Sequence, residues 1–210
     1  MNPQLWSAVI AASISAAVAG TIGIMTWRYN KETLREKRVA EKRASIAKQL
    51  NEFYGPLISY LNITNALREI YTKDKPEGFR TLTYLLDPEQ VYETNQGALK
   101  VALTESDRLI LGEIIEIEEK IESLVVEKGG LVDEPQLMFN YLNGTESARG
   151  SQLSLLAALI RHFRILKLAY TGKLHGEIQR YKDFVFPTEI KGVLRKKFES
   201  LHRELDKLSR

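Results

Sequence analysis

The sequence predicts an all-α fold: a single N-terminal transmembrane helix continuing into a cytoplasmic antiparallel helical bundle. Three observations carry that expectation. Leu5 to Trp27 is a run of 23 residues without a charged side chain, and eight Lys or Arg residues follow between Arg28 and Lys48. From Ile46 onward, apolar residues recur mostly at the three-four spacing of amphipathic helices. The chain divides accordingly into an external N-terminal tail (1–4), a transmembrane helix (5–27), a basic juxtamembrane helical stalk (28–45) and a cytoplasmic helical domain (46–210).

As a helix the uncharged run extends about 34 Å, enough for a hydrocarbon core of about 30 Å. A cleaved signal peptide would open with basic residues and carry a shorter apolar run. Here Met1 to Gln4 has no basic side chain and the charge follows the run. Trp6 and Trp27, with Tyr29, stand near its ends, where amphipathic rings favour headgroups. Residues 28–50 hold eight basic against three acidic side chains, net +5, so the N terminus is expected outside and the C-terminal domain in the cytoplasm of a bacterial inner membrane. The chain has no cysteine, which excludes disulfides, thiolate nucleophiles and cysteine-based metal sites.

Small residues recur every fourth position in the run, at Ala8, Ala12, Ala16 and Gly20, beside a second row at Ser15, Ala19 and Gly23. Such a face lets helices approach closely in lipid, so it is the expected surface for association with a second copy or a partner membrane protein. Arg35, Lys37, Arg38, Lys42 and Arg43 fall where anionic lipid headgroups would contact the stalk. No aromatic residues interleave with these charges, which argues against nucleic acid.

Within the body, Ile46, Leu50, Phe53, Leu57, Tyr60 or Leu61, Thr64, Leu67 and Tyr71 form one helical face, with Pro56 expected to bend or break it. A shorter element, Phe79–Leu86, precedes Asp87 and Pro88, read as the cap and first residue of another short helix. Thr104 and Asp107 resemble a capping box opening a long helix, 105–128, with a seam of Ile110, Ile114, Ile117, Ile121 and Leu124 and a left-handed cap at Gly129–Gly130. A hydrophobic helix follows over 147–170; its longest uncharged stretch, Gly150 to Ile160, is too short for a second span. Thr171 and Gly172 end it. Residues 181–187 are the one candidate extended piece, and Thr188 is the expected cap of a last helix reaching Leu208. Net charge is −8 over 89–134 and +7 over 135–210, which favours either folding of these halves on each other or head-to-tail contact between copies.

Reactive patterns are scarce. The three histidines, His162, His175 and His202, form no metal-ligand spacing, and no phosphate-binding glycine loop or serine nucleophile elbow occurs. His162 reads as a histidine on the polar rim of the bundle. Glu113, Glu116, Glu118, Glu119 and Glu122 read as a solvated or partner-facing surface, because the inward seam is isoleucine. No cofactor or metal is expected. The function expected is that of a non-enzymatic single-pass membrane protein that self-associates or binds a partner, with a cytoplasmic protein as a further partner, and acts as scaffold, sensor or adaptor. The alternatives are an oligomerising membrane-disrupting effector and an enzyme with a nonstandard site near His162.

Overall fold

The computed structural model describes residues 3–94, 97–138, 154–174, 178–181 and 184–209, with the first described side chain at Thr21. Its helices are α1 (Pro3–Gln49), α2 (Gly55–Thr72), α3 (Thr81–Leu86), α4 (Glu105–Lys128), α5 (Pro135–Met138), α6 (Leu155–Tyr170), α7 (Ile178–Tyr181) and α8 (Glu189–Leu208). One antiparallel hairpin, β1 (Val91–Thr94) with β2 (Gly97–Lys100), lies between α3 and α4, pairing Val91 with Lys100 and Thr94 with Gly97.

Among the described residues, no helix is long and apolar enough to cross a membrane. Along α1, Gly20, Thr21, Gly23 and Thr26 place small or polar side groups at half of the positions from 20 to 27. The expected transmembrane helix is therefore overturned. With it fall the inner-membrane location, the outside-to-cytoplasm orientation, the membrane partnership, and both functions built on a span, the single-pass scaffold, sensor or adaptor and the membrane-disrupting effector. Glycine and threonine in the described stretch up to Trp27 add little apolar surface, and a basic flank can orient a span only where one exists. Ala8, Ala12 and Ala16 lie outside the residues with described side chains, and a Cβ on Gly20 would meet nothing within 4 Å.

The helix does not break at Pro56. One turn, Leu50–Tyr54, widens to π geometry, with the Gly55 N–H bonded to the Leu50 carbonyl, and Pro56 falls in the first turn of α2, where its missing N–H is tolerated. Glycine is required at the junction: a Cβ on Gly55 would stand 2.8 Å from the Leu50 carbonyl oxygen.

Around this junction Leu50, Phe53, Tyr54, Leu57 and Leu61 meet Ile117 and Ile121 of α4, Leu137 of α5, Leu156, Leu159 and Phe163 of α6, and Ile190, Leu194 and Leu201 of α8 in one core. The capping box of α4 forms as read: Thr104 Oγ1 accepts from the Asp107 N–H at 3.1 Å, and the Thr104 N–H donates to Asp107 Oδ2 at 2.9 Å. In place of a left-handed cap, Gly129 stays right-handed (φ −56°) and Gly129–Leu131 forms a 3₁₀ turn. α6 starts at Ser154, whose Oγ accepts from the Ala157 N–H at 3.2 Å; the expected start at 147 lies outside the described residues. Gly172, at φ +68°, ends α6 in the left-handed region. Thr188 has helical backbone and forms no side-chain cap.

The extended structure occurs at 91–94 and 97–100 and not at 184–187, the described part of the expected extended piece beyond α7. Asp87 ends α3 and starts no helix: its Oδ1 accepts from the Glu89 N–H at 3.2 Å and its carbonyl from Gln90, closing a local turn that competes with helix initiation. Beyond that turn Tyr92 packs with Tyr84, Val101 and Phe79 in a small second cluster. The opposite charges of the two halves meet within one chain, as Lys167 pairs with Glu119 at 2.6 Å, Arg164 with Glu122, and Lys197 with Asp133 at 2.9 Å.

Candidate functional site

The alternation that places Leu159, Phe163 and Leu166 on the inner face of α6 also carries His162 inward, to 7% exposure. It is not a rim residue. Its Nδ1 lies 2.8 Å from the Phe184 carbonyl oxygen. A carbonyl only accepts, so the ring proton sits on Nδ1. Burial pushes the imidazole pKa down to about 4, against the opposing pull of the Phe184 carbonyl, and the nearby Arg68 charge adds to the fall. At neutral pH the ring is uncharged, and Nε2, buried without a hydrogen-bond partner, is an acceptor.

Arg68 comes from the fourth turn of α2. Its Nη2 donates to Glu118 Oε1 at 2.6 Å, and its Cζ lies 5.8 Å from the centre of the Phe186 ring. Glu118 is only 2% exposed, unlike its neighbours Glu113, Glu116 and Glu119, and its Oε2 has no partner. The reading of the whole glutamate run as solvated therefore fails at this residue. Position 118 follows the buried Ile114, Ile115 and Ile117 around α4 on the side facing α2, so the helix turns this carboxylate into the interior, where Arg68 meets it. Burial pushes the carboxyl up to about 7, with the Arg68 charge and hydrogen bond opposing.

Between α2, α3, α6 and residues 184–188 lies a cavity of about 490 Å³, lined by Arg68, Arg80, Leu82, Leu86, His162, Leu166, Phe184 and Phe186 among others. That volume lies in the usual range for small-molecule sites, about 300–1,000 Å³. The walls are mainly aromatic and aliphatic. Phe186 stands edge-on to His162 with centroids 5.9 Å apart, Arg161 lies 4.5 Å from the Phe184 ring centre, and Lys191 lies 5.3 Å from that of Phe186. Arg68 and Arg80 line the cavity directly, while Arg161 and Lys191 stand against its rings, so cationic side chains predominate around it. Burial lowers the pKa of both Arg161 and Lys191, with Arg68 repelling Lys191 further.

Two other concavities lack these features. One, about 590 Å³, follows the exposed face of α1 past Trp27, Leu34 and Arg38, and another, about 740 Å³, is an open surface beside Glu116, Glu119 and Glu127. The residues expected to touch lipid lie on exposed α1; Lys42 is paired with Glu204 at 2.5 Å, and none of the five approaches the cavity. Among the described residues no three His, Cys, Asp or Glu side chains gather as a metal site.

The inward place of His162 was available in the sequence from the spacing of its apolar neighbours. That of Glu118 depends on a partner fifty residues away and was not. No protein-family model, curated protein or solved structure matches this chain.

Proposed function

We propose that this chain is a non-catalytic ligand-binding domain that takes a small molecule with an apolar body into the cavity between α2, α3, α6 and residues 184–188. The observation that carries the reading is a cavity of about 490 Å³ with aromatic walls, lined by His162, whose buried Nε2 has no hydrogen-bond partner. A buried acceptor left unpaired costs about 1–3 kcal/mol, which a ligand donor or an ordered water would offset. The imidazole is suited to recognition more than to proton transfer, because burial holds its pKa near 4, well below neutral pH, and so makes it a weak base.

The test is thermal unfolding of the whole chain with naphthol, naphthoate and naphthylamine as probes. A ligand at about a hundred times its Kd stabilises by about 2.7 kcal/mol, which for a chain of this size raises Tm by roughly 5–10 °C. The expected result is a rise with at least one probe that disappears in Leu82→Trp, where the indole fills the cavity. No rise with any probe, or an equal rise in the filled variant, removes the proposal.

A further inference from the structure

We propose that the cavity selects an aromatic hydroxy acid or a close analogue: a flat apolar body bearing a carboxylate that seats on the Arg68 guanidinium and a hydroxyl or N–H that donates to Nε2 of His162. The inference rests on the ligand-binding reading above and assigns its chemical class.

The carboxylate follows from the charges. A guanidinium presents five N–H donors in one plane, and Glu118 engages Arg68 through Nη2. The Arg68 side chain remains 30% exposed and lines the cavity, so a second acceptor can approach it. Arg80 also lines the space, and Arg161 and Lys191 add positive charge against its Phe184 and Phe186 walls. Glu118 does not exclude an added anion, because its burial favours the protonated form and a carboxylate arriving on Arg68 favours it further.

The donor follows from the histidine. With Nδ1–H committed to the Phe184 carbonyl, Nε2 can only accept. A ligand lacking a donor leaves it unpaired, and sites built around a buried hydrogen bond discriminate strongly against such analogues. The flat body follows from Phe186, whose ring centre lies 5.8 Å from Arg68 Cζ and 5.9 Å from the His162 ring centre. One ligand against that ring reaches both groups.

Calorimetric titration of the full chain with hydroxynaphthoate, naphthoate, naphthol and naphthamide tests the assignment. Hydroxynaphthoate should bind at least tenfold more tightly than naphthoate and naphthol, with naphthamide weaker than naphthoate. Arg68→Gln should lower the affinity for both acids tenfold or more and leave naphthol unchanged; His162→Phe should abolish the advantage of hydroxynaphthoate over naphthoate. Because Arg68→Gln leaves the buried Glu118 carboxyl unpaired, Arg68→Gln with Glu118→Gln replaces it if the single variant does not fold. If naphthol or naphthamide binds as tightly as the acids, or the acids are indifferent to Arg68, the class assignment is overturned while the cavity reading stands. If none of the four binds, both are overturned.

Discussion

Replacing Glu118 with Gln keeps the shape of the side chain and removes its charge, which makes the cost of burying that charge measurable. The carboxyl ordinarily titrates near 4.5 and in the folded chain near 7. A folded-state pKa above the unfolded one means that the folded protein binds the extra proton, so the stabilisation is complete below pH 4.5 and is lost as pH rises through 7. At about 1.4 kcal/mol per pKa unit, the loss between about pH 5 and pH 8 is roughly 3 kcal/mol, a factor of about a hundred in the folded-to-unfolded ratio. The whole wild-type profile does not display this alone. His162, with a folded pKa near 4 against an ordinary 6.5, supplies stability that is present above 6.5 and lost as pH falls towards 4. Over their common range the two groups oppose each other, so the informative quantity is the difference between wild type and Glu118→Gln. Urea unfolding near pH 5 and near pH 8 should show the two proteins close in stability at the lower pH and the variant ahead by about 3 kcal/mol at the higher. A difference independent of pH refutes the reasoning, and a wild type that gains on the variant as pH rises would mean that the Arg68 pair outweighs desolvation.

His162→Phe removes the opposing titration, so its stability should fall by roughly 3 kcal/mol between about pH 5 and pH 8 where the wild type changes less, as read by urea midpoints. Gly55→Ala places a methyl 2.8 Å from the Leu50 carbonyl oxygen and must shift backbone; a loss of about 1–3 kcal/mol with retained helical circular dichroism is expected, and an unchanged Tm would refute the fit. Thr104→Ala removes one half of the capping box and should cost about 1 kcal/mol in chemical unfolding, with faster amide exchange in the first turn of α4.

Much of the bundle was legible because its determinants are local. The capping box at Thr104 and Asp107, the extent of α4, the buried stripe of α2 and the stop at Gly172 each depend on residues within a turn or two of one another. Where two local rules competed, the pattern misled: Asp87 and Pro88 satisfy a helix-start rule, yet the Asp87 side chain bonds forward to Glu89 and a hairpin follows, with Tyr92 packed on Tyr84 and Phe79. The transmembrane expectation is overturned because, among the described residues, no helix is long and apolar enough to cross a membrane.

What the sequence determined alone was periodicity: which residues fall on one helical face and where a helix begins and ends, since these are set by backbone hydrogen bonds a few residues apart. What only the tertiary structure decided is which member of a charged run enters the interior. Glu118 and Glu119 are neighbours in sequence, yet Glu118 is buried against Arg68 and Glu119 pairs at the surface with Lys167. The cost of burying a carboxylate depends on what faces it, and neither Arg68 on α2 nor the Phe184 carbonyl beyond α7 is near in sequence to the group it meets.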